Sequence, residues 1–192
     1  MTLNRYSRFL IVWAGQLLSS LGTGMTGFAL GVHVFNRTGS ATGFAMVILA
    51  LFLPSFLLRP LGGVLADRLD RRSLIIFGDI GSAAAVLFML LSLRSGEWNL
   101  TLIYLAVAVN SAFTALQNPA YKATVTDLVP KEHFSRAAGL MQLSASVQHL
   151  VAPLAGALLL TAAGVEAVLL VDVSTFFLAV AAVLSIRQEI PP

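Results

Sequence analysis

Residues 43–93 read GFAMVILALFLPSFLLRPLGGVLADRLDRRSLIIFGDIGSAAAVLFMLLSL. Two apolar runs, Gly43–Leu65 and Leu74–Leu93, flank a short turn that concentrates Asp67, Arg68, Asp70, Arg71 and Arg72. Each run meets the roughly 20 residues an α-helix needs to cross about 30 Å of hydrocarbon. Neither alternates with a period of two, and both are far longer than the roughly 10-residue strands of a membrane barrel.

Working outward, four more such runs follow the same pattern: Phe9–Val34, Leu100–Tyr121, Ala137–Ala162 and Ala167–Ile186. The reading is an all-α membrane protein of six transmembrane helices, forming one bundle over residues 1–192. Composition agrees. The chain is 57% hydrophobic and 11% charged, where soluble domains carry about 25% charged residues, and its mean hydropathy is +0.86. The first run is too long for a cleavable signal peptide, and further spans follow it.

Lysine and arginine set the orientation. The N-terminus, the second–third and fourth–fifth junctions and the C-terminus hold Arg5, Arg8, Arg68, Arg71, Arg72, Lys122, Lys131, Arg136 and Arg187. The opposite junctions hold only Arg37 and Arg94. Both termini are therefore expected in the cytoplasm of a cell that carries the chain in its inner or plasma membrane. Tyr6 and Tyr121 are expected at the cytoplasmic interface and Trp98 at the outer one.

An internal repeat emerges at an offset of 93 residues: 57–65, LLRPLGGVL, against 150–158, LVAPLAGAL. Pro60 aligns with Pro153, Gly63 with Gly156, and the same offset pairs Asp79 with Asp172. A three-span unit crosses the bilayer an odd number of times, so its second copy enters upside down. Two inverted three-helix repeats are expected, about 5–93 and about 98–186. Inverted repeats are a building plan of secondary transporters.

The charged turn carries a motif. Gly63, then Asp67, Arg68, Arg71 and Arg72, resembles the signature loop of the major facilitator superfamily. A second stretch, Asn118-Pro119-Ala120, then Asp127 through Glu132, then Ala138-Gly139-Leu140, resembles the drug:proton antiporter branch that includes macrolide and siderophore exporters. Ala152 and Ala157 stand where that branch's Gly-Pro-x-x-Gly-Gly motif has glycines. The resemblance implies a conformational latch formed by Gly63, Asp67, Arg68, Arg71 and Arg72. It also implies half of a twelve-span transporter, with a second six-helix half in the same polypeptide or in a dimer mate. Its implied partners are membrane lipid, a small amphipathic substrate and a coupling proton.

Charge inside a span is costly and faces protein or water. Arg59 and Asp79 come to about the same depth, roughly 10 Å from the cytoplasmic surface at 1.5 Å per residue. An Arg59–Asp79 ion pair is expected, with snorkelling of Arg59 as the alternative. In the inverted copy, His149 and Asp172 are expected to meet. Gln16, Ser20 and Thr23 share one face of the first span, and Asn110, Thr114 and Gln117 one face of the fourth. The resemblance assigns these faces to a central cavity; hydrogen bonding between helices is the plainer alternative.

Other function classes are read out. The chain has no cysteine, which removes thiolate metal sites and cysteine nucleophiles. It has no HExxH and no GxSxG, so neither an enzyme, a metal site nor a cofactor is expected. Its basic residues form short clusters rather than a continuous face, which reads against nucleic acid. The remaining alternative is a genuine six-span protein that pairs as a dimer or serves as an interaction subunit.

Overall fold

The computed structural model describes residues 5–96 and 99–185. Trp98, Ile186 and Arg187 lie outside them. Five long helices account for most of the described chain: α1 (Arg5–Thr38), α2 (Ala41–Arg68), α3 (Arg71–Arg94), α4 (Leu100–Leu128) and α5 (Phe134–Leu184). A single turn of 3-10 helix, Lys131–His133, leads into α5. All five helices are long and apolar enough to cross a membrane.

Helix ends follow local chemistry. Ser40, Asp70 and Asn99 accept backbone N–H bonds at the starts of α2, α3 and α4, from Gly43 (3.1 Å), Ser73 (2.8 Å) and Thr101 (2.9 Å). These caps satisfy donors that the first helical turn leaves free.

Helix α5 has 51 residues. A straight helix of that length would reach about 75 Å, more than twice the hydrocarbon thickness. It is broken at Gly164, whose backbone (φ 82°, ψ 173°) is not helical. Nothing lies within 4 Å of a Cβ there, so glycine is needed for the backbone conformation, not for space. The break divides α5 into a first arm, 134–163, and a second arm, 165–184.

The outer surface is apolar. Phe52, Phe56, Leu57 and Leu61 of α2 are exposed, Phe56 to 76%. A surface so apolar is excluded from water-soluble monomers, where large apolar patches are small and few. α1 packs chiefly against α5, and α4 against both α2 and α3. α2 and α3, although consecutive, scarcely touch, because α4 stands between them.

Inside, the bundle is layered. One apolar cluster holds Phe9, Val12, Leu74, Ile75, Leu128 and Val183, beside the charged turn. Another holds Leu30, Val34, Val86, Leu90, Leu169 and Phe176 towards the opposite end. Between them runs a layer of buried polar groups: Gln16, Ser19, Asp79, Ser82, Asn110, Gln117 and Asp172.

Candidate functional site

The polar layer centres on Asp79, which is fully buried. Gln16 Nε2 of α1 donates to its Oδ2 at 2.9 Å, and Gln117 Nε2 of α4 donates to its Oδ1 at 3.0 Å. Gln117 Nε2 also donates to Gln16 Oε1 at 3.1 Å. Three helices are thus tied through one carboxylate. Gln117 lies directly over Gly78, where an added Cβ would come within 2.5 Å of its own Cβ.

No ion pair joins Asp79 to Arg59. The expectation assumed that consecutive spans are neighbours, but α4 separates α2 from α3 and supplies Gln117 in the place assigned to the guanidinium. Arg59 faces elsewhere and has no hydrogen-bond or ion-pair partner among the described residues.

His149 and Asp172 are not brought together either. Asp172, on the second arm of α5, is fully buried against α1, with Oδ1 2.7 Å from where a Gly22 Cβ would stand. Thr23 and Thr26 flank its carboxylate without reaching hydrogen-bond geometry. His149 lies on the first arm and is exposed. The break at Gly164 gives the two arms different faces, so equal depth did not mean contact.

The remaining polar residues line two adjoining cavities, one of 260 Å³ and one of 360 Å³. Gln16, Ser20 and Gln117 line the first and Asn110 the second. Thr23, Arg59, Thr114 and His149 line both. Residues of both the α1 and α4 polar faces thus border this pair of cavities. Thr114 Oγ1 donates to the Asn110 carbonyl at 3.0 Å, and Ser20 Oγ to the Leu17 carbonyl at 2.8 Å. Both contacts are local to their helices and leave the hydroxyl oxygens able to accept. Tyr121, Lys122 and Gln148 also line the first cavity. They were missed as site residues because each sits at a span edge or within a run without a distinct polar face. A larger cavity, 690 Å³, opens around Gly164 between His33, Arg37 and Glu166. It lies at the other end of the bundle, away from the polar layer.

The charged turn makes specific ties. Arg71 pairs with Asp127 at the end of α4 and donates from Nε to the Ala66 carbonyl at 3.4 Å. Arg72 donates from Nη2 to the carbonyl of Leu184, the last residue of α5, at 3.1 Å. A cation on the final carbonyls of a helix is favourable because those groups have no partner within the helix. Asp67 lies within the last turn of α2, and Asp70 is the cap of α3. Asp67 and Arg68 are exposed and make no hydrogen bond or ion pair among the described residues, and Gly63 has open space beside it. At the far end Arg94 pairs with Glu166 at 2.9 Å, both about half exposed, so the pair contributes little.

Several known proteins are similar to this chain in sequence. The chain is 31% identical over 166 residues to macrolide efflux protein A of Streptococcus pyogenes, a match covering 86% of this chain and 41% of that protein. It is 32% identical over 149 residues to macrolide efflux protein A of Enterococcus faecalis, covering 78% and 46%. It is 26% identical over 163 residues to the enterobactin exporter EntS of Shigella flexneri, covering 85% and 40%. The chain thus spans less than half the length of these relatives. The sequence profile of the Major Facilitator Superfamily matches residues 12–192, and the chain belongs to that superfamily.

Proposed function

We propose that this chain forms the N-terminal six-span bundle of a proton-coupled efflux transporter for amphipathic organic molecules. The observation that carries the reading is that residues of the α1 and α4 polar faces border one pair of cavities. Alternating access needs a central site at the boundary between two bundles that rock against each other. The relatives' names, which speak of macrolide and enterobactin export, support efflux. On this reading the two arms of α5 are the fifth and sixth spans. The inverted repeat is supported by the packing pattern: α1 packs on α5 as α4 packs on α2 and α3. The turn from Gly63 to Arg72 serves as the latch, through Arg71 and Arg72. The intramembrane carboxylates Asp79 and Asp172 are the candidate proton carriers.

The cavities form one wall, and the other belongs to a second six-span bundle in the same polypeptide or in a dimer mate. The chain reconstituted alone in liposomes is expected not to move a panel of amphipathic dyes under an imposed proton gradient. Co-reconstitution with a second six-span half is expected to give saturable, gradient-dependent efflux. Saturable transport by a demonstrated monomer would overturn the half-transporter reading.

The lysine and arginine split supports cytoplasmic placement of both termini. The cysteine-free sequence makes the check direct: membrane-impermeant maleimide applied from outside is expected to label Ser40→Cys and not Ser73→Cys. The reverse pattern would invert the topology.

A further inference from the structure

The two cavities of the polar layer are unbalanced in charge. Arg59 lines both and Lys122 lines the first, while no aspartate or glutamate lines either among the described residues. Neither cation has a hydrogen-bond or ion-pair partner there. The acids that could have answered them are held elsewhere. Asp79 stands behind Gln16 and Gln117, which occupy both of its oxygens. Asp172 packs against Gly22, and Asp127 pairs with Arg71. Arg59 and Lys122 are both exposed where they line the cavities, and a cation within a span that faces a cavity and has no carboxylate partner marks a place where negative charge can be received. Arginine is also the side chain best shaped to clasp a carboxylate or sulfonate through paired N–H bonds.

One side of the second cavity is apolar, while Thr23, Ser55, Asn110 and Thr114 keep the other side polar. Phe28, Ile48, Leu51, Phe52 and Pro153 line the apolar side beside Arg59. A cation at the border of a polar cleft and an apolar slot matches a ligand with an anionic head and an apolar body. We propose that this site takes amphipathic anions, the carboxylate or sulfonate being received by Arg59 with Lys122 contributing further positive potential, and the apolar body lying in the slot. The proposal deepens the efflux reading and rests on it. Anionic lipid headgroups share this chemistry, so the test has to tell the two sources apart.

The chain in phosphatidylcholine nanodiscs would be titrated with three fluorescent probes of one dansyl-alkyl body, ending in a carboxylate, a primary amide or an ammonium, with empty discs as the baseline. The carboxylate probe is expected to bind at least about tenfold more tightly than the amide, the scale of a hydrogen bond to a charged group, and the ammonium probe most weakly. Arg59→Gln is expected to remove the carboxylate's advantage over the amide, with an unchanged circular-dichroism melting temperature reporting that the variant is folded. Equal binding of carboxylate and amide, or an advantage that survives both Arg59→Gln and Lys122→Gln, overturns the proposal while leaving the efflux reading standing. Loss of carboxylate binding when phosphatidylglycerol replaces part of the phosphatidylcholine assigns the site to lipid headgroups and overturns it too. If none of the three probes binds, the proposal is overturned, while the efflux reading, whose site needs the second bundle as its other wall, is decided by the co-reconstitution described above.

Discussion

Replacing Asp79 by leucine is expected to destabilise the bundle by about 2–3 kcal/mol, the upper part of the cost of leaving a buried neutral donor without its acceptor. The carboxylate is fully buried and takes one N–H bond from Gln16 and one from Gln117. Leucine leaves Gln16 Nε2 in the protein interior without an acceptor and Gln117 Nε2 with Gln16 Oε1 alone, and an orphaned buried polar group bears its whole desolvation cost. Asn is a milder change of nearly the same shape. It retains one carbonyl acceptor but turns an N–H₂ towards a donor. Gln117 Oε1 is buried without a partner, and it can accept that N–H if its amide turns over. Asp79→Asn is therefore expected to cost about 1–2 kcal/mol. Adding Gln16→Leu and Gln117→Leu to Asp79→Leu is expected to recover part of the loss, since an apolar cluster strands nothing. Adding Arg59→Gln is expected to recover none, because that side chain lies across α4 from the carboxylate. Thermal unfolding in detergent, followed by circular dichroism, measures each. An Asp79→Leu variant as stable as the parent would show that the triad contributes no net stability.

Gly156→Val is expected to have an effect of similar size for a different reason. A Cβ at Gly156 would lie 2.8 Å from the Met25 carbonyl oxygen and 3.0 Å from the Met25 Cα. These are backbone atoms of α1, so no side chain can rotate out of the way and the helices must separate. Close approach through small residues is a main source of helix association in lipid, where apolar burial gives no advantage over the lipid tails. α1 and α5 share the most extensive interface in the bundle. A loss of about 3 kcal/mol is expected, the upper part of the usual range for overpacking. Gly139, also on the first arm of α5, has nothing within 4 Å of a Cβ, and Gly139→Ala is the matched control, expected to be neutral or slightly stabilising through helix propensity. Equal tolerance of both substitutions would mean that α1 and α5 do not pack as described.

Much of the lining of the candidate cavities was legible before their geometry was known. Gln16, Thr23, Asn110, Thr114 and Gln117 were found by helical periodicity, because polar residues at such spacing on an otherwise apolar span must share a face. The buried carboxylates Asp79 and Asp172 stood out because charge in a span is rare. Their partners were not legible. Depth along a helix can be counted from residue number, but two groups at one depth meet only if their helices adjoin and are turned towards each other.

The amino-acid sequence by itself determined the long apolar spans, the charged turn between the second and third, and the polar faces of the first and fourth, since hydropathy, length and periodicity act locally. Tertiary structure alone decided that α4 stands between α2 and α3, that Asp79 is answered by two glutamines, and that Arg59 is left to face the cavity. The physical reason is that the bilayer constrains each span along its normal and leaves rotation about the helix axis and the choice of neighbours to packing. Packing here turns on close approaches such as Gly22 to Asp172, Gly78 to Gln117 and Gly156 to Met25, which depend on residues far apart in the chain.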